Sequence, residues 1–435
     1  MSAPDAGDRR STTRVTARGI GLAVSGVCLA GLGVGLASNA LVYVGVTVVA
    51  VVTVAILWML LSIHTFLLRF PYARREVAPR PLTVGKPGRV SVVISSGHAH
   101  DPRGGLHPGR RLARSITEGL DIREQAAAEL TGGAGTKATI AREPESLTLS
   151  YALLPSRRGR WPLGPALVHS TDPFGLILAD TSVGGDERVA VWPAVTDLSA
   201  TAGALMGHAD RVVLGARTPS PDDASLRDYR EGDDLRRVHW KSSARRGTML
   251  VRSDERAGRR PATVVMELPK DSAALEWTIS AAASIATSVL AVGHPVQLLG
   301  GGLRPSEVDG AQTHSRGLAR AAILDQTVDL EAPASTAAAE ADLVEASREA
   351  LTTAMSGDVT IAVLGPLKKS ALAVLAPIGD LGRAWAIVRS GDGDRDEAQS
   401  TVKALRRAGW RAMVAPIGHD IGAVWTSLLS SGDLE

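Results

Sequence analysis

The residues best equipped for chemistry concentrate between Ser225 and Arg252, in the run SLRDYREGDDLRRVHWKSSARRGTMLVR. Eleven of the residues from Arg227 to Arg246 are charged, with the two signs interleaved. Interleaving lets charges pair with one another or with nearby backbone, and it argues against a strip built for a polyanion. Tyr229, His239 and Trp240 interrupt the run; aromatic residues with one polar edge suit a place where the ring packs and the hydroxyl or N–H finds a partner. Two active arrangements can be written from these residues. His239 with Asp233, Asp234 and Ser242 supplies a base, an orienting acid and a nucleophile, a triad defined by geometry and not by order along the chain. Alternatively, Arg227, Arg236, His239 and Arg245 grip an anion, since bidentate Arg contacts to phosphate or carboxylate are strong. The structural reading outweighs both: nearness in sequence is poor evidence for a triad, and a His239–carboxylate hydrogen bond would fix the segment between two domains.

Other constellations carry less. The single cysteine, Cys28, stands inside an apolar segment, which excludes an intrachain disulfide, a CxxC zinc site and a thiol nucleophile in the remainder. With four Tyr and three Phe, the chain is too poor in these rings for a base-stacking platform. The formal net charge of +3 conceals arginines gathered beside the apolar segment, where anionic lipid would meet them, so nucleic acid is not implied. Leu298-Leu299-Gly300-Gly301-Gly302 has the look of a phosphate cradle but fits neither GxGxxG nor GxxxxGK[ST], and a loop at a strand end explains it. Lys368-Lys369 and Arg406-Arg407 read as solvated helix positions.

The elements that must position this segment begin with the fifty residues from Gly19 to Leu68, which contain no Lys, Arg, Asp or Glu. At about 20 residues per crossing of a core roughly 30 Å thick, they form two membrane helices, with a turn at Ser38-Asn39. A signal peptide is the weaker reading, its apolar core being shorter, roughly 7 to 15 residues. Arg9, Arg10, Arg14 and Arg18 precede the stretch and Arg69, Arg74 and Arg75 follow it, so the positive-inside rule puts both ends, and all that follows, in the cytoplasm at a cell inner membrane. Gly19, Gly21, Gly26, Gly31, Gly33 and Gly35 would let the first helix pack closely on the second.

Roughly 365 of the 435 residues remain, enough for two soluble domains. Period-two alternation at Arg89–Ile94 and Leu147–Leu153, with short runs at 166–169 and 187–192 separated by Gly and Pro turns, predicts an antiparallel β-sandwich-like module. Residues 98–145 read as long connections carrying one or two strands. In the last third, apolar runs at 262–268, 295–299, 358–364, 383–389 and 410–415 alternate with helical stretches at 272–291, 313–325, 335–355, 366–375, 395–408 and 419–430, which implies a doubly wound α/β domain. The expected organisation is an α+β multidomain chain: tail 1–18, transmembrane hairpin 19–68, sandwich 69–205, charged segment 206–260 and α/β domain 261–435.

Arg227-x-Tyr229-x-x-Gly232-Asp233-x-x-Arg236-x-x-His239-Trp240-Lys241-x-x-Ala244-Arg245 resembles the signature of the bacterial family catalogued as Domain of Unknown Function 58. Arg158-Gly159-Arg160-Trp161, Asp172-Pro173-Phe174-Gly175-Leu176 and Val191-Trp192-Pro193 stand where that family carries a turn, a DPFG element and a strand-to-proline segment. The resemblance implies paired membrane helices, a C-terminal von Willebrand A-like domain and a MoxR-type AAA+ ATPase as associate; it implies no enzymatic activity. A cation-binding von Willebrand A domain places Asp-x-Ser-x-Ser after its first strand, a set of hard oxygen ligands. Here that place reads Glu267-Leu268-Pro269-Lys270-Asp271-Ser272, with Pro269 in place of a hydroxyl and Lys270 repelling a cation. No metal or other cofactor is therefore expected, against the alternative that Glu267, Asp271 and Ser272 build a non-standard site. The expected function is a non-catalytic, membrane-anchored scaffold whose signature residues Arg227, Tyr229, Gly232, Asp233, Arg236, His239, Trp240, Lys241 and Arg245 clasp the soluble domains and dock the ATPase or an envelope-associated partner. The alternative is an enzyme or ligand sensor using the same residues as an anion site; a third is a purely architectural protein oligomerising through its small-residue helices.

Overall fold

The computed structural model describes residues 11–69, 72–95, 121–133, 138–142, 146–172, 174–203, 205–206, 226–228, 240, 243–244, 247–252, 261–303, 307–308, 316–353, 358–381 and 383–430. It is a mixed α+β chain with two apolar helices before several sheets, dividing into the compact units Met1–Trp192 and Pro193–Glu435.

The first unit opens with β1 (Ser11–Val15), then α1 (Ala17–Gly35) and α2 (Asn39–Arg69). Both helices are long and apolar enough to cross a membrane, with mean hydropathies of 1.6 for Ala17–Gly35 and 2.7 for Asn39–His64. They reverse through Leu36, Ala37 and Ser38, Ala37 taking a left-handed φ of 50°. Glycine brings them together: a Cβ on Gly33 would lie 2.6 Å from Val42 N, and one on Gly45 2.4 Å from Ala30 N. Gly26 also meets α2, whereas Gly19 meets Leu176 and Val15, and Gly21, Gly31 and Gly35 face open space, so only two of the six glycines in the expected stripe serve the helix contact.

Two sheets follow, antiparallel throughout except where β3 pairs with β10. One has the order β2 (Tyr72–Ala78), β4 (Gly88–Ser95), β7 (Ser146–Leu153), β6 (Thr139–Arg142). The other runs β1, β9 (Ile177–Val183), β8 (Gly159–Thr171), β10 (Glu187–Trp192), β3 (Leu82–Thr83), and β5 (Asp121–Ala126) joins β8. Val90, Val92 and Ile94 of β4 are fully buried, as their alternation predicted, and they share one core with Leu147, Leu149 and Leu153 of β7 and Val168, Val183 and Val189 of the facing sheet. Residues 11–15, expected as part of a loose tail, instead form β1, pairing from Ser11↔Thr181 to Val15↔Ile177. That pairing is made across more than 160 residues of chain, which local pattern cannot reveal.

Inside this core Arg75 Nε donates to Glu124 Oε1 at 2.5 Å and Arg75 Nη1 to the Gly185 carbonyl at 2.7 Å. The side chains are 6 % and 1 % exposed. Burial pushes the Glu124 carboxyl above its ordinary value while Arg75 pulls it back, and burial together with the Glu124 charge raises Tyr151. Removing one member of a buried pair leaves an uncompensated charge worth about 3–5 kcal/mol, whereas replacing both by apolar groups is close to neutral. Arg75→Met is therefore expected to destabilise the first unit by about that amount, and Arg75→Met with Glu124→Leu to recover most of it; urea unfolding of the full chain in detergent micelles measures both.

In the second unit the six-stranded sheet has the order β15 (Glu307–Val308), β14 (Val296–Leu299), β13 (Ala262–Met266), β16 (Val359–Leu364), β17 (Arg383–Ser390), β18 (Arg411–Pro416). All neighbours are parallel except β14 and β15. Helices α4 (Ser272–Ala291), α5 (Arg316–Val328) and α10 (Ile421–Ser430) contribute to one core, and α6 (Thr336–Thr353), α7 (Lys369–Leu375), α8 (Ile378–Leu381) and α9 (Arg395–Arg407) to another. The doubly wound expectation is met. α4 also has the length and apolarity of a membrane span, but 83 % of its apolar window is buried in the protein, so its hydrophobicity serves the core. Residues 193–203 and 205, assigned to the sandwich (69–205) on pattern, belong to the α/β unit instead: Leu198 N donates to Ser288 Oγ of α4 at 2.9 Å, and Leu198, Ala202 and Leu205 enter the α/β core together with Met206.

Candidate functional site at the carboxyl edge of the parallel sheet

Among the described residues, a two-stranded ribbon brackets the charged segment: β11 (Leu226–Asp228) pairs with β12 (Leu250–Arg252), setting Arg227 opposite Val251. Trp240 is 63 % exposed. Tyr229, Gly232, Asp233, Arg236, His239, Lys241 and Arg245, with Asp234 and Ser242, lie outside the described residues, as does the side chain of Arg227. The Arg158–Trp161 element, expected as a turn, enters strand β8, with Val189↔Trp161 and Val191↔Gly159 in register, and the DPFG element lies between β8 and β9.

The chemistry-bearing contacts that the structure does bring together lie at the carboxyl ends of β13, β16 and β17. In an open α/β sheet the strand order reverses at one point, and chains leaving on opposite faces open a crevice there. Here that point is between β13 and β16. Glu267, the residue after β13, projects into the crevice and is met by Arg389 from the end of β17: Nη2 to Oε2 is 2.7 Å, and Nη1 donates to the Glu267 carbonyl at 2.9 Å. Gly365 N, just after β16, also donates to Oε2 at 2.5 Å. A Cβ on Gly365 would stand 2.7 Å from both the guanidinium and the carboxylate, so the close approach requires glycine. Burial pulls the Arg389 pKa down, and Glu267 followed by Asp394 raises it; a guanidinium remains charged throughout the accessible pH range.

A cavity of about 250 Å³ opens beside this pair, lined by Glu267, Lys270, Glu340, Leu343, Lys368 and Arg389 among others. Glu340 is held by the Ser370 hydroxyl and by Lys368 Nζ at 3.0 Å, which together keep its carboxyl below the ordinary range. The glycine loop after β14 is likewise filled from within, since Gly301 N and Gly302 N donate to the Asp342 carboxylate at 2.5 and 2.8 Å. An internal carboxylate thus occupies the nest that an external phosphate would need.

Sequence reasoning missed Arg389, Glu340 and Asp342. Only Arg389 left a trace, as the lone interior charge of the otherwise apolar strand RAWAIVRS; the other two sit on an ordinary polar helix face. At the loop expected to be a broken metal site, Glu267 is paired with Arg389, while Asp271 caps α4 by accepting from Ala274 N at 2.9 Å. Among the described residues no group of three or more His, Cys, Asp or Glu is placed to hold a metal.

Residues 225–371 match the model of the family described as "Protein of unknown function DUF58". That match supports the resemblance carried by the signature and reaches from the charged segment through β16 to α7. No curated protein matches the chain.

Because the carboxylate after β13 already accepts from a cation and a backbone N–H, titration of the full chain with Mg²⁺ or Mn²⁺ should give no saturable heat; micromolar binding abolished by Glu267→Ala would contradict this. Asp342→Ala leaves two N–H groups of the glycine loop unpaired and should cost about 1–3 kcal/mol in chemical unfolding.

Proposed function

We propose that the chain is a membrane-anchored, non-catalytic scaffold that docks a protein partner through its signature ribbon and the crevice at the carboxyl edge of its parallel sheet. The observation that carries this reading is Trp240, a large ring left 63 % exposed within a segment otherwise dense in charge. Trp is the residue type most enriched among interface hot spots, where one buried ring is worth about 2 kcal/mol or more. The crevice supports the same reading by its size. Sites for small-molecule substrates run from about 300 to 1,000 Å³, whereas about 250 Å³ suits a single inserted side chain. Lys270 on its rim favours an acidic one.

In this proposal the α/β unit has von Willebrand A character, supported by its parallel sheet with β13 central and the loop Glu267–Ser272 following it. A guanidinium then does the work of charge neutralisation that a divalent cation would otherwise do. The partner suggested by the family resemblance is a MoxR-type AAA+ ATPase. α1 and α2 cross the cytoplasmic membrane twice, with the flanking arginines and both soluble units on the cytoplasmic side.

A photo-crosslinking residue at Met249, itself 40 % exposed, should capture the partner in native membranes. Trp240→Ala should lower the yield about tenfold or more, the equivalent of a hot-spot loss. An adduct no stronger than that of a chain with a scrambled signature would overturn the docking reading. For topology, in a Cys28→Ser background, Ser38→Cys should react with an impermeant thiol reagent added outside whole cells and Arg74→Cys should not; the reverse pattern would invert the assignment.

A further inference from the structure

We propose that the turn Asp172–Leu176 seats the sandwich on the bilayer, with Phe174 buried among the headgroups on the side where α1 begins. The inference rests on the reading of α1 and α2 as membrane-crossing helices and adds a third point of lipid contact, contributed by the soluble fold.

The argument starts from length. α1 has 19 residues, about 28 Å at 1.5 Å per residue, against a hydrocarbon core of roughly 30 Å. A helix that just spans the core has no spare turn, so its N-cap, Thr16, must sit at the boundary. Thr16 is bound to the turn by three contacts. Its N–H donates to the Leu176 carbonyl at 2.8 Å, and its hydroxyl lies 2.9 and 3.0 Å from the carbonyls of Gly175 and Leu176 while accepting from Gly19 N at 3.1 Å. Gly19 is so close that a Cβ there would stand 2.5 Å from the Leu176 carbonyl oxygen. Below the turn, Leu176, Ile177 and Ala179 pack with Val52, Ala55, Met59 and Ile63 of α2. The turn therefore has no freedom of depth: it lies at the level of the first residues of α1.

The turn is rigid in itself. The Asp172 carboxylate, only 4 % exposed as a residue, accepts from Phe174 N at 3.0 Å and Ile177 N at 2.7 Å. What it presents outward is apolar, with Phe174 66 % exposed and Leu178 and Val15 each 45 % exposed. Leu178 is the register partner of Arg14, and Arg14 and Arg18 are exposed on either side of Thr16. A ring and aliphatic groups flanked by arginine is the composition of an interfacial lipid contact, with the apolar part sunk roughly 5–10 Å below the headgroups and the cations among anionic lipid.

The test is depth-dependent quenching in proteoliposomes of the full chain, with an environment-sensitive thiol fluorophore. Phe174 is largely exposed, so Phe174→Cys in a Cys28→Ser background does not empty a core. Its label should lose emission with nitroxide placed high on the acyl chain and be protected from aqueous iodide. The label on native Cys28, inside α1, should be quenched best by nitroxide deep in the chain. If Cys28 behaves so but the label at position 174 is quenched by iodide and not by lipid nitroxide, the seating proposal fails while the membrane reading stands. If Cys28 is quenched by iodide, the membrane reading fails and the proposal falls with it.

Discussion

A buried guanidinium must find a carboxylate, and both units of the chain are organised around meeting that demand. Charge without a counter-charge in a low-dielectric interior costs several kcal/mol, so each pair fixes the backbone that carries it. In the sandwich, Arg75 of β2 reaches Glu124 of β5 and the Gly185 carbonyl between β9 and β10. A Cβ on Gly164 would stand 2.6 Å from the Arg75 guanidinium, so β8 can pass only with glycine there. In the α/β unit, Arg389 ties the ends of β17 and β13 together, and Gly365 after β16 closes the triangle. The ends of three adjacent parallel strands, where such folds place their sites, are thereby held by one ion pair.

Helix length is the second constraint. α2, at 31 residues, is about 46 Å long, against about 28 Å for the 19 residues of α1. The excess is used within the protein: Met59 and Ile63 pack against β9, and Phe66 enters the sandwich core. The sandwich is thus packed directly on α2, so any tilt of α2 is transmitted to its sheets.

Much of this was legible in the sequence because the deciding signals are local. The absence of charge over fifty residues, the alternation in β4, and the alternation of apolar runs with helical stretches after residue 261 each fix element type without knowledge of partners. α4 falls where expected, at 272–291, because Asp271 supplies its cap. The failures share the opposite property. β1, β3 and β15 are too short to show a period, and β1 and β3 exist only through partners more than 100 residues away in the chain. The same holds for the contacts of the candidate site: Arg389 and Glu267 are 122 residues apart, and Asp342 is 41 from Gly301, so their meaning depends on a fold and not on a motif. The residue types of the loop Glu267–Ser272 were legible, but the arginine that neutralises Glu267 was not.

These pairings carry an implication for the class of protein. An enzyme acting on an anion leaves its cationic groups and its backbone nests open to substrate, since a group already satisfied by the protein must give up that partner before it can bind. Among the described residues the reverse is seen at each such place: Asp342 fills the glycine loop, Glu267 neutralises Arg389, and Glu340 engages Lys368. Among the large apolar side chains left exposed are Trp240 in the signature segment and Phe174 at the DPFG turn. Exposed rings gain by being covered, so the free energy still to be released at these two places is that of burying apolar surface.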